Sequence, residues 1–225
     1  MKHKKVFTLT TSLQMNHEDQ ARLDFKPVPD LEIVRATQED ANTIKEFYQG
    51  IGENHLWVDR RGWEIDDFEM QIAQERTIIW LARLKGRPIG FLEAYHYPDN
   101  RIQIIFLGIL DQYSGRGIGK HLLSHGISSA WQRRPSKMIV HTRSYDGEHA
   151  LNNYVKRGFQ ITKVRPQIIA VPPAMQETIT KLIITAKRRG VYPSFAKRLE
   201  ARLRQCFLGR SARWIFHNVM KSNSP

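Results

Sequence analysis

Apolar and polar positions change period several times along this chain. "LEIVRAT", residues 31–37, alternates as a half-buried strand does. Thr37 stands where it can cap the helix read in "QEDANTIKEFYQGIG", whose acidic first turn suits the helix dipole. "HLWVDRRGW" (55–63) breaks the period with aromatic and charged residues and reads as a loop, and "EIDDFEMQIAQ" (64–74) reads as a short helix. "TIIWLARL" and "PIGFLEAYHY" are β-rich runs joined by "KGR", which predicts a hairpin. "IQIIFLGIL" (102–110) is apolar throughout, as a central strand covered on both faces would be. Residues 116–132 read as a helix, "KMIVHTR" as a strand, 147–157 as a helix, and "FQITKV" and "QIIAV" as two closing strands. The order β-α-α-β-β-β-α-β-α-β-β predicts a mixed α/β domain over residues 31–172, a central sheet flanked by helices, with no internal repeat.

Both ends of the chain read differently. Residues 1–30 end in "FKPVPD", and the prolines set them apart as an N-terminal extension. Beyond Pro172, Met175, Ile179, Leu182, Ile183 and Ala186 keep helical spacing, as do Phe195, Leu199, Leu203, Cys206 and Phe207. Trp214, Ile215, Phe216 and Val219 indicate a third short helix. Residues 173–225 are therefore expected to form an amphipathic helical extension.

Charge sharpens that division. The net charge of the 225 residues is +13. Residues 173–225 hold 11 Lys/Arg against 2 Asp/Glu, so +9 of it lies there, and the middle of the chain is nearly balanced. Such a segment suits an acidic partner, nucleic acid, ribosome or anionic surface, or a solvated helix face; its apolar stripes also allow a homodimer. No apolar run approaches the roughly 20 residues that cross a bilayer. The cationic N-terminus continues into Thr, Ser and Gln and reads as non-secretory. Cys206 is the only cysteine, which excludes an internal disulfide and a Cys-based metal site and agrees with a reducing, cytoplasmic setting.

The candidate chemistry begins at "FLGILDQYSGRGIGKHLL", where a strand feeds three glycines, Gly115, Gly117 and Gly119, and then a helix. A Walker A loop ending on Gly119-Lys120 would need Gly at 114 and Ser or Thr at 121, where the chain has Ser114 and His121. A dinucleotide fingerprint starting at Gly115 or Gly117 meets Lys120 or Leu122 at its third glycine position. What fits is Gln112-x-x-Gly115-x-Gly117-x-Gly119. Glycines let backbone N–H groups approach a ligand, and the helix start offers unpaired donors and partial positive charge to a pyrophosphate. Arg116 and Lys120 add cations at the same end. A glycine-rich turn that binds nothing is the plain alternative.

This Q-x-x-G-x-G loop, together with "EHALNNYVKRGF" (148–159) and its A-L-x-x-Y-x-x-x-G-F spacing, resembles the GCN5-related N-acetyltransferases (GNAT) over residues 31–172. "FYQGIGENHLWVDR", "GFLEAY" and "VHTRSYDGEHALNNYVKRGF" resemble one branch of that family, with Y-x-x-V-G-x-x-W-x-W-x-D-R and V-x-T-x-x-x-D-x-x-x-A-L-x-N-Y patterns. The resemblance implies a GNAT fold and an acetyl-CoA-dependent N-acetyltransferase of a small amine, peptide or protein, without a metal. The alternative is a fold of this type that binds an acyl-CoA or a partner without turnover.

By the same resemblance, a bulge splays the strand before the loop from the strand after its helix. Backbone groups of Leu107, Gly108 and Ile109 would meet the pantetheine and acetyl carbonyl. Gln112, Gly115, Arg116, Gly117, Ile118, Gly119 and Lys120 would hold the pyrophosphate. Tyr154 takes the place of a general acid near the sulfur, or packs as a structural tyrosine. Transfer to an amine also needs a base, since a lysine-like amine is protonated below about pH 10.4. The carboxylate many relatives carry on the strand before the loop is Gln103 here. Glu93 and His141 are the substitutes, with relay through water as the third possibility. Trp57, Asp59 and Trp63 could cradle a cationic amine, or form an aromatic loop that closes the core.

Overall fold

The computed structural model describes residues 4–25, 27–147 and 149–175. Its elements run β1 (Lys4–Met15), β2 (Leu31–Arg35), α1 (Ala41–Glu53), α2 (Ile65–Ala73), β3 (Thr77–Leu84), β4 (Arg87–His96), β5 (Arg101–Ile109), α3 (Ile118–Trp131), β6 (Lys137–Arg143), α4 (Ala150–Lys156) and β7 (Gln160–Val171). They build a seven-stranded mixed sheet of order β2-β3-β4-β5-β6-β1-β7. Chain packing divides the molecule into two units, one of Leu9–Pro166 and one joining Met1–Thr8 to Gln167–Pro225. The first holds every site residue described below. In the second, the described residues are 4–8 and 167–175, ending in a 3-10 turn at Pro173–Met175, with Thr8, Ile169, Val171 and Met175 buried.

Local chemistry explains most of the elements. Before α1, Thr37 donates its N–H to Asp40 Oδ2 at 2.9 Å, and a 3-10 turn at Gln38–Asp40 delays the helix to Ala41. Ala41, Ile44, Phe47, Tyr48 and Ile51 then recur on one buried face at helical spacing. Lys85 and Gly86, at φ 51° and 74°, turn β3 into β4 in two residues, the geometry of a type I′ hairpin.

Two apolar layers cover opposite faces of the sheet. Ile102, Ile104, Met138 and Val140 pack with Ile118, Leu122 and Ile127 of α3 and with Tyr154 and Phe159. Ile79, Leu81, Phe91 and Phe106 pack with Ile44, Phe47 and Tyr48 of α1, Phe68 of α2 and Trp57. The strand read as apolar throughout, β5, is thereby covered on both sides.

Two features differ from the expected pattern. Residues 1–30 contain a full strand: β1 pairs antiparallel with β6 from Thr10↔Arg143 to Met15↔Met138. Its alternation buries Leu13 and Met15, which the Thr- and Ser-rich composition obscured. "FQITKV" and "QIIAV" form one strand, β7, because Pro166 lacks only a donor that an edge strand can do without. The predicted helices of the basic extension lie outside the described residues beyond Met175.

Candidate active site

The sheet opens beside the glycine loop. Along β4 and β5 the register runs Glu93↔Phe106 and then Ala94↔Ile104, so Ile105 is an extra residue and forms a bulge. β5 pairs with β6 in parallel only from Arg101↔Lys137 to Ile104↔Val140. Past that point β5 continues to Ile109 and β6 to Arg143 without a shared ladder. Leu110 donates its N–H to the Ile89 carbonyl at 2.9 Å. Counting back along an antiparallel ladder, the peptide groups of Gly108 also turn toward β4, whereas those of Leu107 and Ile109 face the open side. Gly108 serves packing: a Cβ there would crowd Ile51 and Trp57.

The loop reaches the end of that opening. Gln112 lies exposed in a 3-10 turn, Asp111–Tyr113. Gly115 and Gly117 take φ of 77° and 83°, the left-handed region that favours glycine. Apart from its chain neighbours, no atom of the described residues lies within 4 Å of where a Gly115 Cβ would stand. Gly117 is the N-cap of α3, so no side chain caps the helix, and its first turn carries no acidic residue. The first intrahelical bond is His121 N–H to the Gly117 carbonyl at 3.1 Å, which leaves the N–H groups of Ile118, Gly119 and Lys120 without an i−4 partner. Arg116 is exposed, its guanidinium 5.5 Å from the Tyr113 ring centre. Buried Ile118 anchors the turn. Uncapped donors, an open glycine cradle and a helix dipole fit a phosphate-bearing acyl-CoA. Lys120 is less free than the sequence implied, because Asp24 of the N-terminal segment pairs with it at 2.9 Å and with Arg157 at 3.5 Å.

Tyr154 and His141 lie on opposite faces of the sheet. Tyr154 belongs to the α3-side layer, its ring edge-on to Phe159 at 6.0 Å. Burial first, and Asp146 second, raise its pKa well above the ordinary tyrosine value, so the phenol stays protonated. His141 follows Val140, the last β6 residue paired with β5, and strand alternation turns it to the other face. It is exposed, and its Nδ1 lies 3.0 Å from Ser12 Oγ. Partial desolvation, then Arg165, Arg101 and Arg143, lower its pKa, leaving a neutral imidazole at neutral pH.

Glu93 does not stand ready as a base. Its carboxylate is fully buried and receives both outer nitrogens of Arg60, at 2.7 and 2.6 Å, and Gln71 Nε2 at 3.2 Å. Those three donors hold the carboxylate inside the core, out of reach of an incoming amine.

The proposed acceptor cradle also has another use. Trp57 is buried, its ring centre 4.7 Å from Phe106 and 6.0 Å from Phe91, so it closes the core. Trp63 packs edge-on to Phe68 and faces the Arg60 guanidinium at 4.4 Å. Asp59 is exposed and pairs with Arg143 at 3.9 Å. The three residues do not converge on one free pocket.

Three structural participants have roles that the sequence pattern alone does not assign. Arg60 lies inside the W-x-D-R pattern, and its donor-rich fork is the signal the sequence offers. Asp146 lay inside V-x-T-x-x-x-D, and it accepts from Thr142 Oγ1 and Arg143 N–H, each at 2.7 Å, to close the turn between β6 and α4. Ser12 had no signal, since its role arises only when β1 meets β6.

A mixed sheet that parts between two parallel strands, next to an uncapped helix start, defines a class of α/β protein able to seat an extended phosphate-bearing ligand. The model of the acetyltransferase (GNAT) family matches residues 43–159, and the chain belongs to that family. A search of curated proteins returned no match. Among solved structures, the chain is similar to a GCN5-related N-acetyltransferase from Kribbella flavida, with 12% identity, TM-score 0.56, and 77% of this chain and 62% of that one covered. It is also similar to a Drosophila protein, with 14% identity, TM-score 0.56, and coverage of 76% and 53%. A functionally unknown conserved protein from Staphylococcus epidermidis aligns at 14% identity, TM-score 0.50, and coverage of 74% and 62%. These likenesses are of fold, and the chain spans between about half and two thirds of the length of those structures.

Proposed function

We propose that the protein is an acetyl-CoA-dependent N-acetyltransferase acting on a primary amine of a small molecule, peptide or protein. One observation carries this reading: the β5–β6 ladder ends at Ile104↔Val140, beside a glycine loop whose helix start is uncapped and free of acidic residues. In this reading the peptide groups of Leu107 and Ile109 align the thioester arm, and the backbone from Gly115 to Lys120, with Gln112 and Arg116, holds the phosphates. His141 takes a proton from the amine. The amine nitrogen bonds to the thioester carbonyl carbon, the carbon–sulfur bond breaks, and Tyr154 gives its proton to the departing thiolate, regaining one from solvent. In this reading the two groups act from opposite faces of the sheet, one toward the amine and one toward the thiol.

The test is a panel of amines, peptide N-termini and lysine peptides offered with acetyl-CoA, with thiol release as readout. Acceptor-dependent release above background hydrolysis is expected. Tight acetyl-CoA binding without release for any acceptor would replace the enzyme reading with that of a non-catalytic acyl-CoA-binding protein.

A further inference from the structure

We propose that the N-terminal strand completes the acetyl-transfer site, with Ser12 as the positioning residue that holds His141 in the tautomer whose Nε2 is unprotonated. The inference rests on the acetyl-transfer reading above.

Ser12 and His141 are direct partners in the antiparallel β1–β6 ladder, and the serine oxygen lies 3.0 Å from Nδ1. Ser12 is itself buried, in contrast to the exposed imidazole. Its place is set from both sides. Buried Leu13 and Met15 lock the register, because a one-residue slip would turn them out of the core and Ser12 into it. From β7, the Thr162 hydroxyl donates to the Ser12 carbonyl at 3.2 Å.

The surrounding charges keep the ring neutral but do not choose its tautomer. Arg143 faces it from β6, Arg101 from β5 and Arg165 from β7. Asp59 pairs with Arg143 at 3.9 Å and Asp99 with Arg101 at 3.3 Å. Along the part of β1 paired with β6, the residues on that face, Thr10, Ser12 and Gln14, are uncharged. A neutral imidazole has one N–H and one lone pair. With Nδ1–H donated to Ser12 Oγ, the lone pair sits on Nε2, where it can accept the proton of the attacking amine. The imidazolium keeps its Nδ1–H on Ser12 and returns the Nε2 proton to water. Ser12 lies outside the segment matched to the family, so the site draws on a part of the chain that the match does not cover.

The experiment uses the full-length, ¹⁵N-labelled protein. Imidazole nitrogen shifts report the tautomer directly, and His141→Gln identifies the His141 signal among the nine histidines. An unprotonated Nε2 is expected in the wild type, a shift toward the Nε2–H form in Ser12→Ala, and the wild-type spectrum in Ser12→Thr, which keeps the hydroxyl. Ser12→Ala should lower kcat/KM about tenfold at unchanged acetyl-CoA affinity, the scale of one hydrogen bond, and Ser12→Thr should restore it. A wild-type Nε2–H tautomer, or a Ser12→Ala protein with unaltered spectrum and kcat/KM, overturns the proposal. Absence of thiol release from the wild type defeats the acetyl-transfer reading instead, and the spectrum still decides whether Ser12 orients His141.

Discussion

Arg60 grips Glu93 with both outer guanidinium nitrogens, at 2.7 and 2.6 Å, in a site where neither side chain is more than 9% exposed. The pair joins the loop after α1 to the middle of β4. Around it, the Arg60 N–H donates to the Tyr48 hydroxyl at 2.8 Å, and the guanidinium lies over the rings of Trp63 and Phe106. Gly52 leaves the room into which Trp57 folds back. The pattern residues Tyr48, Gly52, Trp57 and Arg60 thus lock one loop onto the sheet.

Removing one member of such a pair strands the other charge in a buried site. Glu93→Gln is expected to lower the unfolding free energy by about 3–5 kcal/mol. Denaturant titration checks this. A loss under about 1 kcal/mol, the scale of an exposed pair, would show that the pair does not hold the loop.

At the loop, Gly117→Trp should abolish CoA binding measured by calorimetry while the circular dichroism spectrum is kept. A side chain there, on a residue at φ 83° and next to the Lys120 stem, fills the approach to the α3 donors. Undiminished affinity in a folded variant would refute the phosphate site.

Tyr154→Phe should lower kcat by roughly 10²–10⁴-fold, the usual worth of a positioned proton donor, with CoA affinity kept. An unchanged kcat under chemistry-limited conditions would make Tyr154 structural. Stability supplies an independent check. The folded-state pKa lies above the unfolded value near 10. The phenol's contribution is therefore complete below about pH 10 and is lost as pH rises through the folded pKa. The variant should accordingly lose less stability than the wild type in strong alkali.

The pH dependence of kcat/KM should rise through a pKa below the ordinary histidine value of about 6.5, because desolvation and three arginines disfavour the imidazolium. His141→Gln should remove that limb. If the limb persists in the variant, proton transfer runs through water or another group.

The local pattern carried most of the helices and strands of the middle of the chain. Amphipathic spacing in α1, the apolar run of β5 and the glycine-to-helix turn are short-range features, decided by residues a few positions apart. The left-handed glycines of the loop and the place of Tyr154 on α4 follow from the same short-range pattern. Glu93 misled because a strand carboxylate looks the same in sequence whether it is open to a substrate or gripped by Arg60, 33 positions away.

What tertiary structure decided was long-range partnership. β1 looks like a polar extension until Leu13 and Met15 find the α3-side layer and Ser12 meets His141, 129 positions on. Gly158 directly follows the helix read over 147–157, but only the fold shows that a Cβ there would overlap the Gln20 carbonyl of the N-terminal segment. Whether Trp57 lines a pocket or fills the core was likewise settled by Phe91 and Phe106 on neighbouring strands. The sequence by itself determined which elements form, because propensity and period act within a few residues. The sheet decided which side chains meet, because strand pairing brings together residues that no local pattern links.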